Sequence, residues 1–109
     1  MFTVEALQDT VRQGRLRITY HAKEEMWEDS VTSEEVRFAL LDGAPEIIEA
    51  YPSPQGRPYP MALLLARLPD GHPLHLVVAY DAGQQWVILV TVYRPNPERW
   101  DATFRHRKK

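Results

Sequence analysis

The hydrophobic period of this chain changes once, near Pro45. Before that residue, apolar side chains recur at helical spacing; after it, they alternate. Phe2 to Gln13 reads as a first helix, with Val4, Leu7 and Val11 on one side and Gly14 at the C′ position. Arg15 to Thr19 then runs extended into a second helix, Tyr20 to Asp29, with Thr19 as its N-cap. The third start is the most explicit. In VTSEEV, Thr32 caps, Glu35 completes a capping box, and Val31 and Val36 occupy the positions of a hydrophobic staple. Gly43 and Pro45 end this helix.

Four alternating segments follow: EIIEAY, MALLLARL, PLHLVVAY and WVILVTVY. The turn-rich stretches PSPQGRPYP, PDGH and DAGQQ separate them. Helices first and strands afterwards predict an α+β fold, with the N-terminal helices on one face of a four-stranded, mainly antiparallel sheet. One domain spans residues 1–109 in this reading: helices over about 2–42, sheet over about 45–94, and a basic tail over 95–109.

Which strand positions are polar bears on function. Ile48, Leu64, Leu74, Leu76, Val78, Ile88, Val90 and Val92, all even, are apolar and expected on the core side. The odd set includes Glu49, Tyr51, His75, Thr91 and Tyr93, a polar face. An odd-length hairpin loop centred on Gly83 would pair His75 with Thr91 and Leu76 with Val90.

Composition excludes several classes. With 44% hydrophobic and 26% charged residues and no cysteine, the chain reads as an ordinary globular protein without disulfides or thiolate chemistry. No apolar run approaches the ~20 residues of a membrane span, and the start lacks a signal-peptide pattern, so a cytoplasmic location is expected. The net charge of −2 is unevenly spread. Residues 1–50 hold five Lys/Arg against eleven Asp/Glu, whereas from Arg94 onward six cations face two acids. A tail ending RHRKK reads as a solvated end, as a ligand for a phosphate backbone, or as a partner of the chain's own acidic helices. Trp100 is expected to pin it, whereas Trp27 and Trp86 read as packing residues.

The blocks ITYHAKEEMWEDSVTSEEVRFAL, IIEAYP, GHPLHLVVAY and VTVYRPNPERW, in this order, resemble a bacterial family designated domain of unknown function 4258. The resemblance spans about residues 15–100. It implies a fold related to RelE/BrnT-like toxin ribonucleases (RelE/barnase-like), an RNA-cleaving role and a cognate antitoxin protein as partner. The site residues it nominates are His21, His75, Thr91 and Tyr93, with Glu49 a lesser candidate. Where the family pattern has an arginine four residues after the helix histidine, this chain has Glu25, which removes a cation from that helix.

Metal-free RNA cleavage needs a base, an acid and groups that stabilise the phosphorane. Histidine suits both proton roles. His21, in a first helical turn, would serve as base, His75 as acid, Arg94 as phosphate ligand and Tyr93 as donor or stacking group. Arg105, Arg107, Lys108 and Lys109 would hold the RNA backbone. Against this stand plainer roles: His21 bonding backbone groups, His75 and Thr91 as a buried polar pair, Arg94 solvated. His21 with Glu25, and His72 with His75, fall short of a three-ligand set, and no cofactor fingerprint is present, so neither metal nor cofactor is expected. Two functions follow as expectations: a metal-independent endoribonuclease cleaving by 2′-hydroxyl attack, or a non-catalytic domain that binds RNA or a protein through its polar sheet face and basic tail.

Overall fold

The computed structural model describes residues 1–52 and 58–108. Most of the turn expected between Tyr51 and Met61 lies outside them, as does Lys109, one of the expected RNA ligands. The elements run α1 (Val4–Arg12), β1 (Leu16–Ile18), α2 (Tyr20–Glu28), α3 (Ser33–Leu41), β2 (Glu46–Tyr51), β3 (Met61–Arg67), β4 (Pro73–Asp81) and β5 (Trp86–Tyr93).

Each helix starts where its capping residue places it. The hydroxyls of Thr3, Thr19 and Thr32 accept from the backbone N–H three residues on. At Thr32 the box is complete, because Glu35 takes the Thr32 N–H in return, and both Val31 and Val36 are buried. The helix ends are satisfied across the bundle. Gln8 donates to the carbonyl of Leu40 at the end of α3, while Arg37 donates to that of Val11 at the end of α1. Gly43 is needed for contact rather than for its dihedrals: a Cβ there would collide with the carbonyl oxygen of Arg67, whose N–H donates to Gly43 at 2.8 Å.

The sheet has five strands, in the order β1-β5-β4-β3-β2. All neighbours are antiparallel except β1 and β5, which run parallel. The expected α+β class holds; the four-strand expectation misses β1, a three-residue strand too short to display alternation. All three helices pack on one face, around Leu64, Leu74, Leu76, Val78, Val87, Leu89 and Val92.

Two β-bulges set which side chains reach the opposite face. In β2, Ile47 pairs with Leu64 and Glu49 with Leu63, so Ile48 is the extra residue and Ile47, not Ile48, joins the core. In β5, Val78 pairs with Leu89 but Val77 with Thr91, leaving Val90 extra. The turn from Asp81 to Trp86 holds four residues, an even number, so the register expected from an odd-length loop does not form. His75 lies opposite Tyr93 and Leu76 opposite Val92. The core of β5 is accordingly Val87, Leu89 and Val92, while Ile88 and Val90 are only partly buried.

Candidate functional site

The face away from the helices carries Glu46, Glu49, Tyr51, His75, Thr91 and Tyr93, the polar set that alternation groups together, with Glu46 added by the β2 bulge. It is not open. Residues 95–108 fold back across it, and this tail is ordered by its own hydrogen bonds rather than frayed. The Asp101 carboxylate gathers the N–H groups of Thr103 and Arg105, the Thr103 hydroxyl and the His106 ring, which hold its pKa well below the ordinary range. Asp101 N–H donates to His106 and Lys108 N–H to Arg99, drawing the two arms of the tail together.

His75 lies beneath this strap with no solvent exposure. Its Nε2 is 2.8 Å from the carbonyl oxygen of Phe104, and its Nδ1 is 3.1 Å from the Tyr93 hydroxyl. A carbonyl only accepts, so the proton sits on Nε2 and Tyr93 donates to Nδ1. Trp100, 4% exposed, meets the ring edge-on with centroids 4.4 Å apart, which pins the tail as expected. Burial pulls the His75 pKa below its ordinary value, outweighing the Phe104 carbonyl that favours the proton. The group is neutral near pH 7. It is not the protonated acid that the sequence suggested, and its partner is Tyr93 rather than Thr91, which faces Val77.

Two of the tail's cations, Arg105 and Arg107, pair with carboxylates of the sheet rather than with the acidic helices. Arg105 holds Glu46 through two bonds of 2.8 Å, and Arg107 holds Glu49 through bonds of 3.0 and 3.2 Å. Glu49 also accepts from the Tyr51 hydroxyl. Arg105 and Arg107 lower the pKa of their respective carboxylates, and burial together with Glu49 pushes the Tyr51 phenol up to about 12. Burial raises Tyr93 as well. Both phenols are therefore neutral donors near pH 7. Beside them, Glu98, Arg99, Trp100, Arg107 and Lys108 line a shallow concavity of about 330 Å³.

The model of one family, a domain of unknown function (DUF4258), matches residues 18–94. The chain belongs to the DUF4258 family. No curated protein and no solved structure matches it. The DUF4258 match takes in α2 through β5 and stops at Arg94, so the strap over the polar face lies beyond it.

The remaining expected site residues have other employment. His21 does not reach Thr91 or Tyr93. Its ring, 66% exposed, lies 3.3 Å from Glu25 on the next turn of α2. The same Glu25 oxygen accepts the N–H of Val92 at 3.1 Å. One turn on, Asp29 accepts the N–H of Arg94 at 2.8 Å, and the Thr19 hydroxyl donates to the Val90 carbonyl. β5 extends beyond β1, and α2 covers the backbone edge left open. The spacing fits: four helical residues rise about 6 Å, close to the 6.6–6.8 Å of two strand residues. Arg94, expected to meet phosphate, donates its Nε–H to the Asp29 carbonyl at the C-terminal end of α2.

Trp86 is partly buried, with the guanidinium groups of Arg15 and Arg17 4.3 and 4.4 Å from its ring centre. Trp27 is not. It is 87% exposed, because Ala22 and Met26 are the α2 residues turned inward. Among the described residues, no three His, Asp or Glu side chains gather as a metal site, and no helix is long and apolar enough to cross a membrane.

Proposed function

We propose that this DUF4258 protein binds the sugar–phosphate backbone of single-stranded RNA at the concavity of its C-terminal tail. The observation that carries this reading is the placement of Arg99, Arg107 and Lys108 around one polar hollow on a chain whose net charge is −2. Three cations lining one concavity, with Glu98 also on its lining, give the positive surface that a phosphate backbone binds. Arg105, bound to Glu46, secures the strap on which this surface is built.

A metal-independent endoribonuclease related in fold to the RelE-like toxins is the second reading. It is favoured by the Tyr93 hydroxyl, oriented by neutral His75 on the same face as Glu49 and its partner Arg107. In that version His75 is a positioning residue, Arg107 stabilises the phosphorane, and His21 takes no part.

Fluorescence anisotropy of a labelled single-stranded RNA with the full chain tests the first reading. Arg99→Gln combined with Lys108→Gln is expected to weaken binding severalfold while leaving the melting temperature unchanged; equal affinity in the two proteins would refute it. Gel analysis of the same RNA separates the second reading: intact RNA supports a binding domain, and cleavage lost in Tyr93→Phe supports the nuclease.

A further inference from the structure

We infer that the outer face of α2 is a docking surface for a basic, apolar-anchored segment of a protein partner. Tyr20 and Trp27 are 80% and 87% exposed, seven residues apart on one helix. That spacing is two turns, so both rings stand on the same outward stripe, about 10 Å apart along the axis. A tryptophan 87% exposed buries little of its ring in its own fold, and tryptophan and tyrosine are enriched among the residues that anchor interfaces.

The stripe has relief. On one side of Trp27 a groove of about 500 Å³ is floored by Met26 and Val31 and lined largely by apolar atoms. On the other side a second groove runs between Tyr20 and Trp27, bordered by Glu24 and Glu28. Lys23 borders both grooves, its apolar stem extending the hydrophobic surface.

Charge identifies the occupant. Residues 20–42, which contain α2 and α3, hold seven Asp/Glu and two Lys/Arg, a net of −5. Of these acids, Glu25 and Asp29 are turned to the β5 backbone, while Glu24, Glu28 and Glu34 are exposed. This field repels nucleic acid and anionic lipid and attracts a cationic peptide. A second copy docked symmetrically through this face would set acidic rims against each other. A segment with an apolar side chain for the Met26–Val31 groove and Lys or Arg for the glutamate rim meets both features. This surface is independent of the RNA reading, because α2 packs on the helix side of the sheet and the tail on the other.

The test is anisotropy of a labelled amphipathic peptide of leucine and lysine titrated with the full chain, beside a leucine–glutamate counterpart. Saturable binding of the lysine peptide is expected, with none of the glutamate peptide. Trp27→Ala should weaken it about tenfold or more, and Glu24→Gln with Glu28→Gln should weaken it and flatten its salt dependence, all at unchanged melting temperature. Equal binding by Trp27→Ala, or equal binding of the two peptides, would overturn the inference. So would sedimentation showing a wild-type dimer that Trp27→Ala dissociates, because the occupant would then be a second copy.

Discussion

The carboxylate of Glu25 accepts the backbone N–H of Val92 at 3.1 Å, joining the middle of α2 to the open edge of β5. An arginine at this position would carry only donors and leave that N–H without a partner. Glu25→Ala should therefore destabilise the protein by about 1.5–3 kcal/mol, typical of a hydrogen bond to a charged group. Glu25→Gln, which keeps an acceptor, should cost less than half of that. Urea denaturation of the two variants measures the difference, and equal losses would contradict this role.

The neutral state of His75 gives a pH signature. Its folded pKa is lowered by burial, while the unfolded chain titrates near 6.5. Below about pH 6.5 the unfolded chain takes up a proton that the folded chain refuses, so this contribution is complete above that pH and declines toward the lowered folded pKa. Carboxylates held low by their partners, such as Glu46 and Glu49, act in a separate window below their ordinary 4.5. His75→Gln should be less stable at pH 7 yet show a flatter stability profile as pH falls below about 6.5. A profile parallel to wild type would show that His75 is not the group involved.

Thr32→Ala should cost about 1 kcal/mol, the usual loss for an N-cap. Thr32→Asn should restore most of it. The midpoint of thermal unfolding is sufficient to rank the three proteins.

Glu49 neutralises one of the three cations assigned to RNA. Glu49→Gln releases Arg107 and removes a like charge from the approaching phosphate, so RNA affinity at low salt should rise up to roughly fivefold. An unchanged or lower affinity would place Arg107 outside the contact.

Local chemistry was readable from the sequence and long-range pairing was not. The capping box of Thr32 and Glu35 is written within four residues, and it starts α3 where expected. Alternation correctly placed Glu49, His75 and Tyr93 on one face, because each strand keeps its period of two between bulges. The extra residues Ile48 and Val90 are the points where that period slips, and nothing in their apolar side chains announces it. The ion pairs of the tail join residues 58 or 59 positions apart, beyond any local signal. The exposure of Trp27 is set by which α2 residues face the sheet, and the helix's two inward residues, Ala22 and Met26, form too weak a stripe to reveal it.

The most direct test of RNA binding through the tail is the salt dependence of affinity for single-stranded RNA. With three phosphate contacts, log K against log salt should fall with a slope of about −2 for the wild type. Arg99→Gln with Lys108→Gln should leave about one contact and a slope near −0.7. Identical slopes, or no binding at low salt, would contradict the account.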